Sequence, residues 1–106
     1  MARTHKILNE SAPDTSDIVG DQIVCHHQYD EAGAVQYIIT TGTAAEIQLQ
    51  GRLSSDLSWI AVATSGALDA SGTADVLQTG VAVLPYMRAV LKSPSSGAVV
   101  KVFFME

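Results

Sequence analysis

The sequence predicts an all-β, single-domain protein: an antiparallel β-sandwich or jelly-roll-like fold of about seven or eight short strands, preceded by an irregular N-terminal arm. Three observations lead there. Apolar residues recur with period two rather than with helical spacing, most cleanly over residues 46–53. Clusters of Gly, Pro, Ser, Asn and Asp punctuate the chain at short intervals. No segment long enough for a stable helix keeps apolar residues three and four apart without a Gly, a Pro or a β-branched run.

Residues 1–17 are polar, end in a Pro/Asp/Thr/Ser cluster and are expected to form an arm, with a short strand possible near residues 6–8; the sandwich domain is expected over 18–106. Residues 18–25 are apolar around a Gly20-Asp21 break. Asp30-Glu31-Ala32-Gly33 is a turn signal, and residues 35–41 are β-branched and alternate. Gly42-Thr43 ends them. In residues 46–53, Ile47, Leu49, Gly51 and Leu53 share one parity and Glu46, Gln48, Gln50 and Arg52 the other, as in a strand with one dry and one wet face. Ser54-Ser55-Asp56 is a turn, residues 57–64 a strand holding Trp59, and 65–73 a loop. A short strand over 74–79 ends at Gly80. A longer one covers 81–92, with a bulge or bend at Pro85 because proline cannot donate to a ladder. Ser93-Pro94-Ser95-Ser96-Gly97 turns the chain into a last strand over 98–105.

Three of these strands, 57–64, 81–91 and 99–105, are apolar on both parities. One face of each suits a core; the other needs a further cover, for which a neighbouring subunit is the expectation and loops or the N-terminal arm the alternative. The expected interface residues are Ile60, Val62, Tyr86, Arg88 and Phe104. Phe103 and Phe104 must point to opposite faces of a strand, so one is core and the other interface.

The chain has 106 residues, 47% hydrophobic and only 16% charged, with net charge −5. Average domains carry about 25% charged residues, so this surface is poor in charge and suits burial against a partner. The six cations, Arg3, Lys6, Arg52, Arg88, Lys92 and Lys101, are scattered, which argues against binding phosphate backbones or an anionic membrane. Cys25 is the single cysteine, so an intrachain disulfide is impossible and a reducing compartment is expected. The first eight residues lack the apolar stretch of a signal peptide, and no apolar run reaches transmembrane length. A soluble protein synthesised in the cytoplasm is the expectation.

The sequence offers no catalytic pattern, and a non-enzymatic protein is expected. Cys25-His26-His27 is the one cluster of metal-type ligands; in a strand at most Cys25 and His27 share a face, and only His5 remains to add to them, so no metal or other cofactor is expected. No nucleophile elbow, phosphate loop or dinucleotide fingerprint occurs. The segment from Asp69 to Asp75 superficially resembles a calcium loop but lacks the closing Glu, and is read as a turn. Trp59 is expected in the core, with a sugar-stacking platform as the other role for a lone Trp in a strand.

The run Ile47-Gln-Leu-Gln-Gly-Arg-Leu-Ser-Ser-Asp-Leu-Ser-Trp-Ile60, with Leu84-Pro-Tyr-Met-Arg-Ala-Val90 and Ser96-Gly-Ala-Val-Val-Lys-Val102, resembles small β-sandwich virion proteins of tailed bacteriophages. The likeness spans residues 46–106; residues 1–35 carry none of it. It implies a capsid decoration, or cement, protein: a dimer or trimer bound to the major capsid protein across subunit joints, located on the capsid surface of the virion after synthesis in the host cytoplasm. It carries no catalytic residue. A phage neck, tail or baseplate component is an alternative within the same class, and a glycan-binding β-sandwich module using Trp59 or Tyr86 is the alternative outside it.

Overall fold

The computed structural model describes residues 3–26 and 32–106, and the chain is all-β, with no helix among them. The described residues form ten strands: β1 Thr4–Ser11, β2 Ile18–Val19, β3 Ile23–Val24, β4 Ala32–Thr41, β5 Thr43–Arg52, β6 Ile60–Thr64, β7 Leu68–Asp69, β8 Asp75–Ala82, β9 Tyr86–Pro94 and β10 Val99–Met105. They build two antiparallel sheets. One has the order β1-β10-β4-β8. The other has the order β2-β9-β5-β6, with β3 also pairing β9 and β7 pairing β5. Because β2 and β3 lie along the same neighbour, they act as one interrupted strand. Successive strands mostly cross from one sheet to the other, and the eight resulting positions are those of a jelly roll.

Alternation accounts for the core. Val35, Tyr37 and Ile39 of β4, Val100, Val102 and Phe104 of β10, Ile47 and Leu49 of β5, and Met87, Ala89 and Leu91 of β9 all face inward and are buried. Tyr37 is the largest of them; its hydroxyl donates to Gln78 Oε1 at 3.1 Å, which satisfies the one polar atom that its burial would strand. Burial pushes its phenol far above the usual range.

Several expectations need correction. The N-terminal arm over 1–17 is in large part strand: β1 pairs with β10 from Thr4↔Met105 to Ser11↔Val99. Ile7 and Leu8 are both buried because the register shifts between Lys6 and Leu8, a bulge that turns two adjacent side chains inward. The strand expected over 81–92 is two strands in different sheets, β8 and β9, and Pro85 lies in the connection between them. The strand expected over 57–64 begins only at Ile60. Gly80 interrupts β8 as a positive-φ residue rather than ending it. Of the expected turn at 30–33, Asp30 and Glu31 lie outside the described residues, and Ala32 and Gly33 are in β4.

Candidate interface surfaces

β5 and β9 are neighbours with Gln50 opposite Arg88 and Arg52 opposite Tyr86. All four side chains occupy the parity opposite the core, so they gather on the outer face of the sheet near the end where β5 runs out. Trp59, arriving just before β6, lies over them. Its ring centroid is 4.3 Å from the Arg52 guanidinium carbon and 4.4 Å from that of Arg88, and Arg52 is 5.7 Å from the Tyr86 ring. These are stacking distances for a cation on an aromatic ring. Trp59 is thus half-buried outside the core, not within it as expected.

The two arginines differ in what they hold. Arg52 Nη1 donates to the Ser55 and Leu57 carbonyls, each at 3.1 Å, and Nη2 donates to Gln22 Oε1 at 2.7 Å. It pins the 53–59 loop, while its buried Nε has no partner among the described residues. Arg88 donates from Nε to Gln50 Oε1 at 2.8 Å, and Gln50 donates in turn to Gln48 Oε1 at 3.0 Å. Gln50 is 92% covered, so this relay holds the Arg88 fork in place. Neither guanidinium pairs with a carboxylate among the described residues. Desolvation, and then the nearby charge of Arg52, hold the Arg88 pKa below its ordinary value.

Beside this cluster the sandwich opens. Gly51, Arg52, Leu53, Leu57, Ser58, Ile60, Val62 and Leu84 line a cleft of about 540 Å³. Leu53, Leu57 and Ile60 form its exposed rim, and Ile60 is 67% exposed. Leu53, expected on the dry face of its strand, lies beyond the end of β5. The other sheet carries a second apolar surface on its outer side: Leu77 of β8, 64% exposed, with Met105 and Phe103 of β10. Asp75 lies two residues before Leu77 and accepts from Gln36 Nε2 at 2.9 Å; Lys6 Nζ sits 5.6 Å from the Phe103 ring.

Of the expected interface residues, Ile60, Val62, Tyr86 and Arg88 fall on or beside the cleft and its cationic flank. Phe104 does not: it is fully buried, opposite His5 and Val35. The parity of β10 sends Phe103, not Phe104, to the outside. The residues that sequence inspection missed are Leu53, Leu57 and Arg52, which a loop brings to the rim, and Leu77, which the alternation of β8 puts on the outer face. Of the Cys25-His26-His27 cluster, His27 lies outside the described residues. Cys25 is buried and His26 exposed. The Glu106 carboxylate accepts from the His26 backbone N–H at 2.7 Å and contacts His5 Nε2 at 2.5 Å. Asp69 Oδ1 accepts from both the backbone N–H and the hydroxyl of Ser71, the local turn expected there.

No protein-family model matches the chain, and no curated protein is similar to it. Among solved structures, one from Bacillus endospore appendages, described as forming "a novel family of disulfide-linked pili", is similar in fold, with a TM-score of 0.50 and 15% identity over 98% of this chain and 83% of that one. At that identity the likeness is one of fold alone.

Proposed function

We propose that this chain is a non-enzymatic structural protein that works as a subunit of a larger assembly, and that the assembly is a tailed-bacteriophage virion whose head it decorates. On this reading it binds the major capsid protein across subunit joints, as a dimer or trimer, and its contacts add to the stability of the shell by mass action. The exposed apolar cleft carries the reading. Leu53, Leu57 and Ile60 stand open to water beside Trp59, Tyr86, Arg52 and Arg88, and aromatic and arginine side chains are the residues that concentrate at the centres of protein interfaces. The sequence resemblance over 46–106 supports the phage assignment in particular. The fold shared with the endospore appendage supports only the coarser statement, a jelly roll used as a building unit.

A glycan-binding module is the second reading, favoured by the position of Trp59 outside the core. A sugar would have to share that ring with two guanidiniums, Arg52 at 4.3 Å and Arg88 at 4.4 Å from its centroid.

Immunogold electron microscopy of phage particles from the source culture, with antibody to this chain, tests the proposal. Labelled heads support decoration. Labelled tails move the chain to the neck, tail or baseplate. Particles without label, together with glycan-array binding that Trp59→Ala abolishes in a folded protein, overturn the virion reading in favour of the module.

A further inference from the structure

The cleft and its flank ask for a particular occupant. The apolar rim takes a protruding aliphatic side chain. The flank takes a carboxylate, because two guanidiniums lie against one indole without an acidic partner among the described residues, and the Gln48–Gln50 relay already fixes the Arg88 fork through Nε while neither Nη is bonded among the described residues. An anion there also relieves the repulsion between Arg52 and Arg88.

This chain displays that pair of groups itself. On β8, an edge strand, Leu77 and Asp75 share the outer face, two residues and thus about 7 Å apart. Leu77 is 64% exposed, and Asp75 has no cation partner among the described residues. The cleft belongs to the β5–β6 side of the other sheet, so the ridge and the cleft are different surfaces on one molecule. We infer that a second copy of this chain seats the Leu77 ridge of its β8 in the Leu53–Leu57–Ile60 cleft, with its Asp75 directed to the Arg88 side, in a head-to-tail contact. This rests on the structural-subunit reading and deepens it. A contact between unlike surfaces leaves one of each free in every dimer, so it extends to rings or open chains rather than closing as a twofold dimer. The net charge of −5 per copy opposes such growth at long range, and the local pairing of opposite charges gives it direction.

Sedimentation velocity of the purified chain over a concentration series tests this. The wild type forms species beyond the dimer that grow with concentration. Ile60→Asp and Leu77→Asp, both at exposed positions, are folded monomers by circular dichroism; Leu57→Lys replaces Ile60→Asp if that variant misfolds. Mixed one to one, the cleft variant and the ridge variant form a dimer and nothing larger, because each retains the surface the other lacks. Arg88→Glu weakens association by about tenfold or more, and mixing it with Asp75→Arg recovers part of the loss. A wild type that stays monomeric up to about 1 mM, a wild type that stops at a dimer, or a mixture that stays monomeric each overturns the inference. Labelled virions in the immunogold experiment alongside a monomeric wild type would leave the structural-subunit reading standing and remove only the self-contact.

Discussion

Phe103 and Phe104 are neighbours in the chain with opposite fates, and the difference is measurable. Phe104 lies against the core with no exposed surface; Phe103 is half-buried on the outer face under the Lys6 ammonium. Truncating a buried Phe removes transfer energy and leaves a cavity, so Phe104→Ala is expected to cost about 3–5 kcal/mol. Phe103→Ala is expected to cost about 1 kcal/mol or less. Urea denaturation separates the two, and equal losses would refute the parity of β10. Sequence alone could say that one Phe is core, but which one depends on a register fixed by β1 and β4. Cys25 offers a second test at this scale. Burial, and then the Glu106 charge, push its thiol up to about 11 from 9.0. A raised acid pKa means the folded state favours the neutral thiol. Its contribution is complete below about pH 9 and is lost as pH rises towards 11. The native protein is therefore expected to react slowly with a disulfide reagent at pH 8 and rapidly once unfolded; fast reaction in the native state would place the thiol at the surface.

Among the elements, the clearest strand in the sequence was β5, whose Ile47 and Leu49 alternate with Gln48 and Gln50 and do face the core. Its partners were harder to read for physical reasons. The bulge in β1 hides its period by burying Ile7 beside Leu8, and so a strand passes for an arm. β8 and β9 read as one strand because the link at 83–85 is itself apolar, with Val83 fully buried. Gly33 looked like part of a turn, yet its small size serves a close approach: a Cβ there would collide with the Met105 carbonyl oxygen and come within 2.9 Å of Val83 Cγ2. Gly33→Ala must therefore shift β4 against β10, at about 1–3 kcal/mol. Gly66, at φ 70° with open space around it, needs glycine only for its backbone. Gly66→Ala is expected to cost about 1–2 kcal/mol. A quadruple comparison of the two variants with Phe104→Ala/Gly33→Ala and Phe104→Ala/Gly66→Ala tells the mechanisms apart. Gly33, whose added Cβ would lie 3.4 Å from Phe104 Cε1, couples to Phe104; Gly66 adds independently. The cleft was legible only through Ile60 and Val62, because its other walls come from a loop whose path Arg52 sets by holding the Ser55 and Leu57 carbonyls.

The whole molecule has two unlike ends. The cationic cluster and the cleft lie where β5 runs out and β9 begins. At the opposite end, where β9 runs out, three exposed aspartates each hold a backbone N–H: Asp14 that of Ser16, Asp17 that of Ser93 and Asp69 that of Ser71. These bonds hold all three carboxyl groups below their ordinary value of 3.8; for Asp17 the nearby Lys92, at 3.5 Å, adds to the effect. Ser93 needs its partner most, since it is the one described non-glycine residue with positive φ, 47°, and a bound N–H helps to hold that conformation. A depressed carboxyl pKa stabilises the folded state above the ordinary value, and that contribution is lost as pH falls through the folded pKa. Acid is therefore expected to loosen this end first and to leave the β5–β9 ladder intact. Amide resonances of Ser16, Ser71 and Ser93 in a two-dimensional NMR titration should move with midpoints below 3.8, while those of Ile47 and Leu49 stay fixed over the same range. Asp17→Asn should abolish the Ser93 titration and spare the other two. Midpoints at or above 3.8, or a simultaneous shift of the β5 amides, would mean that the aspartates do not clamp this end and that the sandwich responds to acid as one body.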